Sequence, residues 1–305
     1  MERAFWFTWE IDLIKNIQSI VSPTLQKIFE VITFFGDVYA MILIIGFLYW
    51  GYKKELGKKV SLYAISALLV TTTLNNIVKR RRPYFDHKDI KCLKPRTSEG
   101  DPYDCLVQGY SFPSGHATDS ITTYGVLSTK TKNLVLKISL YLFIILIGLS
   151  RIALGVHYPT DILAGWLISV IMVFVISKID NKYINYLIII LLGIIGCFFS
   201  RSQDFYSAFG IAIGFITAFI FEEKYVNFKN TNNVWLMILR TICGVVLFLG
   251  LDTILKLPFS DSFLASKTAL AFLVRTIRYA ICSFVLIGIY PMCFKFFDER
   301  IHKRK

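Results

Sequence analysis

The chain predicts an all-α fold, a polytopic bundle of about nine helices that cross a membrane. Three observations point there. Hydrophobic residues make up 55% of the 305 residues, and the mean hydropathy is +0.56. Apolar runs long enough to span hydrocarbon recur almost to the C-terminus. Those runs are continuous, as in 140–149 and 187–195, where a transmembrane barrel would alternate apolar and polar residues.

In chain order, residues 1–35 mix Trp6, Phe7, Trp9, Ile11, Leu13, Ile14 and Ile17 with Glu10, Asp12 and Lys15. This reads as an amphipathic interfacial helix and lacks the order of a cleavable signal peptide. Residues 28–35 are apolar enough to begin a re-entrant piece, so a crossing within 10–34 stays open. Spans follow at 37–52, 57–78, 117–129, 133–154, 158–178, 183–200, 204–222, 233–255 and 268–295. The third of these carries Ala117, Thr118, Asp119, Ser120, Thr122 and Thr123, so it should pack among other helices, away from lipid. Three parts result: the amphipathic segment 1–35, a core over 36–180, and a C-terminal transmembrane extension over 181–305.

Lysine and arginine separate by loop. Lys53, Lys54, Lys58, Lys59, Lys130, Lys132, Lys178, Lys182, Lys224, Lys229 and the tail Arg300, Lys303, Arg304 and Lys305 share one side, which the positive-inside rule makes cytoplasmic. The opposite loops are sparse, except for 79–116, which holds Lys79, Arg80, Arg81, Arg82, Lys88, Lys91, Lys94 and Arg96. An anion site explains that exception. The net charge of +13 is then topology plus a local anion funnel, and no nucleic-acid partner is implied.

Two strings in the core hold two of the chain's four histidines: Pro113-Ser114-Gly115-His116, and Ser150-Arg151 continuing through Gly155 to His157 and Asp161. A third, Lys79-Arg80-Arg81-Arg82-Pro83, stands upstream. Forked guanidinium donors, a hydroxyl, a backbone N–H without a side chain in its way, two imidazoles and a carboxylate suit phosphate. The strings resemble the motifs of the type-2 phosphatidate phosphatase superfamily, which includes bacterial lipid phosphatases, glucose-6-phosphatase and sphingosine phosphate phosphatases. The resemblance covers roughly residues 25 to 180, with Pro-Ser-Gly-His and Ser-Arg-x5-His-x3-Asp complete. In the first motif, Lys-x6-Arg-Pro, Asn75 stands where the family has lysine. Lys79 lies one helical turn on and is the candidate to fill that space, while Asn75 could itself donate a neutral amide hydrogen bond.

The resemblance implies that His157 is the nucleophile, Asp161 the carboxylate that holds its ring, and His116 the acid for the leaving group. Arg82, Arg151, Ser114 and Gly115 would bind the phosphate, with Asn75 and Lys79 in the doubtful first-motif place. It also implies catalysis without cofactor or metal ion. The substrate would be a lipid mono- or diphosphate at the extracytoplasmic face of a bilayer, a bacterial plasma membrane by the abundance of Ile, Lys, Phe and Asn. A phosphotransferase and a non-catalytic lipid binder or transporter remain as alternatives, and the sequence carries no signal of oligomeric state.

Outside the motifs, Cys92 and Cys105 could close a disulfide loop of about fourteen residues, worth roughly 3 kcal/mol. His87, His302, Arg80 and Arg81 read as solvated or headgroup-bound. Asp252 is expected to pair with Arg275 or Arg278 inside the extension, because ionised groups at membrane depth need partners.

Overall fold

A computed structural model describes residues 5–94 and 109–294. No strand occurs among them, and helix follows helix along the chain. The first half holds α1 (Thr8–Ile20), α2 (Pro23–Phe34), α3 (Val38–Gly46, widened into a π-helical turn over Phe47–Tyr52), α4 (Lys54–Val78), α5 (Pro83–Asp86), α6 (Gly115–Ser120), α7 (Val126–Lys130), α8 (Leu134–Ala153) and α9 (Pro159–Ser177). Then come α10 (Lys182–Phe199), α11 (Gln203–Phe221), α12 (Val234–Lys256), α13 (Asp261–Ala265) and α14 (Ala269–Phe284). Side chains that accept from the first-turn amides start many of these helices, among them Ser22, Asn133, Ser202, Asn233 and Thr268.

Seven of the described helices are long and apolar enough to cross a membrane. An eighth crossing results if Pro23–Phe34 and Val38–Tyr52, bent by 49°, form one broken span. The nine predicted is therefore an approximate count. The predicted span at 117–129 exists as α6 and α7 joined by a π-helical turn, and is too short and polar to join the seven. Its Thr118, Ser120 and Thr122 are buried and donate to carbonyls one turn back (3.0, 2.7 and 3.2 Å), so the hydroxyls are satisfied away from water.

The chain forms two compact units, 1–41 with 66–178, and 42–65 with 179–305. The motif-bearing unit has a core of Ile11, Ile14, Tyr84, Ile90, Ala117 and Ile152, extended by Leu154, Val156, Tyr158 and Ile162. Thus α1 buries Ile11 and Ile14 in this core and leaves Trp9 and Leu13 exposed, as an amphipathic helix docked by one face must, with Trp6 and Phe7 exposed just before it. In the other unit several buried charges are paired. Lys54 meets Glu222 at 2.9 Å, Lys58 meets Glu223 at 3.1 Å, and Arg278 meets Asp252 at 2.7 Å. Arg275 instead donates to Gln203 and Ser207 (2.6 and 3.3 Å).

Candidate active site

The last turn of α8 carries Arg151, and the chain then reverses tightly before Pro159 opens α9 at its first position, where no N–H is needed. The reversal depends on Gly155, at φ +74°. A β-carbon there would stand 2.3 Å from the Lys91 carbonyl oxygen and 2.7 Å from Gln18 Nε2, so only glycine fits. Asp161, in the first turn of α9, accepts from the Tyr158 N–H through Oδ2 (2.8 Å). The same oxygen lies 3.5 Å from His157 Nδ1, and both side chains are buried. Their i, i+4 spacing thus brings carboxylate and imidazole together.

The other oxygen of Asp161 accepts from Arg80 Nη1 at 2.8 Å. Arg80 is 1% exposed and reaches Thr160 Oγ1 (2.7 Å), Glu10 Oε2 (2.7 Å) and the Phe5 carbonyl (2.9 Å), while its guanidinium lies 3.8 Å from the centre of the Tyr158 ring. Glu10, fully buried on α1, accepts from both the N–H and the hydroxyl of Thr160 (3.1 and 2.6 Å). The solvated or headgroup-bound reading of Arg80 is therefore corrected. It is an internal cation balanced by two carboxylates, and it fixes the aspartate behind His157. Arg81 pairs with Asp86.

Ser114 is buried and caps α6, its Oγ accepting from the Ala117 N–H at 3.4 Å, which leaves its hydroxyl proton for another acceptor. The Ser114 N–H donates to the Asp161 carbonyl (3.0 Å), so the second and third motifs are joined through backbone. Nothing stands within 4 Å of where a β-carbon on Gly115 would be, and this stretch of backbone faces open space. His116 follows, its Nε2 3.8 Å from Asp37 Oδ2. Arg82 is tethered by the carbonyls of Gly109 and Val156, both at 3.1 Å. Arg151 is 2% exposed, donates from Nη1 to Thr33 Oγ1 (2.8 Å), and has no hydrogen-bond partner at Nε.

Of the two candidates for the first-motif lysine, Asn75 is diverted to another task. Asn75 gives its amide hydrogens to the carbonyls of Tyr110 and Phe112 (2.8 and 3.3 Å), and so holds the segment leading into Pro113. Lys79 closes α4 in the left-handed conformation at φ 55°, its N–H on the Asn75 carbonyl at 3.1 Å, and makes no ion pair among the described residues. His87 is half-buried, edge-on to Trp6 with ring centres 4.5 Å apart, which corrects its solvated reading. His302 and Cys105 lie outside the described residues, so the proposed Cys92–Cys105 bridge does too.

The electrostatics are one-sided. Burial, then the cations Arg151 and Lys94, hold His116 well below the usual histidine value; burial, then Arg82 and Arg151, do the same for His157. Burial and the neighbouring Arg151 and Arg82 push Lys94 down to about 8. The free site is thus a cationic pocket with two neutral imidazoles, suited to an anion and to nucleophilic attack by nitrogen. Among the described residues no group of three or more His, Cys, Asp or Glu is placed to hold a metal ion. Glu10, Asp37, Arg80 and Thr160 were not legible as site residues in the motifs. Glu10 alone left a trace, an acid one turn from Ile14 on an otherwise apolar face.

Residues 57–185 match the PAP2 superfamily, and residues 206–302 match the PAP2 superfamily phosphatase transmembrane extension. The chain is 27% identical over 177 residues to phosphatidylglycerophosphatase B of Bacillus subtilis (strain 168), covering 53% of this chain and 79% of that one. It is 23% identical over 180 residues to an undecaprenyl-diphosphatase of Sulfolobus acidocaldarius, covering 57% and 79%. The crystal structure of Aquifex aeolicus LpxE aligns with a TM-score of 0.49 at 27% identity, over 57% of this chain and 97% of that one.

Proposed function

Because this chain belongs to the PAP2 superfamily and is a membrane phosphatase, we propose that it hydrolyses a lipid mono- or diphosphate through a phosphohistidine at His157. The observation that carries the reading is the buried pair of His157 and Asp161, 3.5 Å apart, beside the buried Arg151 guanidinium, whose Nε has no hydrogen-bond partner among the described residues. The similarity to enzymes named for phosphatidylglycerophosphate and undecaprenyl diphosphate supports a lipid substrate.

In the first step Nε2 of His157 attacks phosphorus, and the bond to the leaving oxygen breaks as His116 gives that oxygen a proton. Asp161, held by Arg80 and the Tyr158 N–H, keeps Nδ1 protonated and stabilises the positive ring. Arg82 and Arg151 take the charge that spreads over the phosphoryl oxygens, with the Ser114 hydroxyl and the Gly115 N–H beside them. His116 is neutral in the free site, and the arriving dianion offsets the cations that hold it so, which raises its affinity for the proton it must deliver. In the second step water attacks the phosphohistidine, His116 accepts its proton, and phosphate leaves as His157 becomes neutral again. By the lysine and arginine distribution, the site opens at the extracytoplasmic face and the C-terminus lies in the cytoplasm.

The test is phosphate release by the detergent-purified protein from a panel of lipid phosphates, beside His157→Ala. Release that disappears with the substitution, and an acid-labile phosphoenzyme trapped on His157, is the expected result. Release that persists in His157→Ala removes the nucleophile assignment. Release that requires an added alcohol acceptor makes the enzyme a phosphotransferase.

A further inference from the structure

Residues 90–94 are stitched to the reversal between Arg151 and His157. The Leu93 N–H donates to the Leu154 carbonyl at 3.0 Å, and the Leu93 carbonyl accepts from Gln26 Nε2 at 3.0 Å. Gln18 adds a clamp: it takes the Lys91 N–H at 3.0 Å and gives its amide to the carbonyls of Lys91 and Ala153 (2.8 and 3.2 Å). Ile90 is in the same core as Leu154 and Val156. The backbone on both sides of Leu93 is thereby fixed against the end of α8, and the next side chain is Lys94.

The charges that act on Lys94 are those of the site. They are Arg151 from α8, Arg82 before α5, Asp37 before α3, and Cys92 on its own segment; Lys94 in turn acts on His116 and His157. It makes no ion pair among the described residues. Lys94 thus acts on the same groups as Arg151, whose buried Nε is unpartnered among the described residues, and Asp37, the described carboxylate that acts on both, faces His116. Like charges gathered beside two buried imidazoles favour an anion among them.

Resting on the phosphatase reading above, we propose that Lys94 is a phosphate-binding residue, its ammonium taking the place of the lysine that is missing at Asn75. Asn75 cannot serve, since both hydrogens of its amide go to the carbonyls of Tyr110 and Phe112. The cation comes from a segment with no helical relation to the first motif, delivered by backbone pairing with the third. Its charge is also conditional. As pH rises through about 8 the free enzyme loses this ammonium, whereas arginine keeps its charge throughout.

The experiment compares Lys94→Met, Lys94→Arg, Lys79→Met and Lys88→Met with the wild type, reading kcat/KM on the best lipid phosphate and the Ki of inorganic phosphate against pH. Loss of one charge-assisted contact predicts a fall of about 10- to 100-fold in kcat/KM for Lys94→Met, with Ki rising alongside. Lys88→Met should match the wild type, and Lys79→Met decides between the two lysines, because a fall there with Lys94→Met unimpaired overturns the inference. In the wild type Ki should rise as pH passes about 8; this limb should vanish in Lys94→Arg and persist in Cys92→Ser, which excludes the neighbouring thiol. Should Lys94→Met fail to fold, the pH limb of Lys94→Arg still decides. Wild-type release with Lys94→Met unimpaired, or an alkaline limb unaltered in Lys94→Arg, overturns the inference and leaves the proposed function standing. Absence of release from folded wild-type protein overturns both.

Discussion

Buried cations in the two compact units can be compared by what each one meets. In the unit of 42–65 and 179–305, ammoniums and guanidiniums meet carboxylates: Lys54 and Lys58 meet Glu222, and Arg278 and Lys256 meet Asp252. In the motif-bearing unit one arginine is treated the same way, Arg80 between Glu10 and Asp161. Arg151 is not: buried to 2% exposure, it has a hydroxyl on Nη1 and nothing on Nε. Since a buried ion is costly, a buried guanidinium that meets only a hydroxyl beside two imidazoles marks the place where an anion completes the structure.

That contrast can be broken most sharply at His157. His157→Ala should lower kcat by about 10⁴-fold while the folded protein persists in detergent, since the residue does the chemistry. Arg80→Met should do the reverse of a catalytic lesion. It strands Glu10 and Asp161 inside the protein, at a cost of about 3–5 kcal/mol, seen as a lower Tm in detergent before any fall in turnover of the surviving folded fraction. The pair Arg151→Met and Arg278→Met tests the comparison directly. The first should cut kcat/KM by about 10- to 100-fold and leave Tm unchanged or raised, because it removes a cation from a like-charged pocket. The second should lower Tm and leave kcat/KM as it was. Equal Tm losses from both would abolish the distinction between the units.

Smaller effects sharpen it. Burial and the arginines hold His157 below its ordinary 6.5, so its neutral, nucleophilic form survives as pH falls past that value. The acid limb of kcat/KM should lie below pH 6.5 and move upward in Arg151→Met, where one of the repelling cations is gone. The least change is expected at Asn75. Asn75→Ala frees the carbonyls of Tyr110 and Phe112 and should reduce activity several-fold through a looser approach to Pro113, about 1 kcal/mol in all. Asn75→Lys should bring no gain, because the position holds a loop and does not face the phosphate.

What the sequence made legible follows the reach of local spacing. His157 and Asp161 are one helical turn apart, and Ser114, Gly115 and His116 are consecutive at a helix start, so chemistry that needs them together appears as a short string. Continuous apolar runs likewise announced the long spans. The network behind the site is assembled from distant pieces: Arg80 reaches Glu10 across 70 positions, and Thr160 reaches Glu10 across 150. No period or motif links such residues. Lys94 was visible only as one charge among eight in the loop 79–116, and neither its pairing with the end of α8 nor the diversion of Asn75 to Tyr110 and Phe112 leaves a pattern in the chain. Arg80 and Arg81, adjacent and alike, have opposite fates because one points into the core and the other pairs with Asp86 beside it.

The docking of Glu10 on Thr160 also orders events during synthesis. A ribosome releases Glu10 long before its partners, with Arg80 emerging 70 residues later and Thr160 150 residues later. Until then a carboxylate destined for the interior has no cation to meet, and α1 must wait at the membrane surface, where its exposed Trp6 and Trp9 can rest among headgroups. Within the motif-bearing unit, α1 therefore docks only after Arg80 and the start of α9 have been made, so a helix that comes early in the chain is seated late.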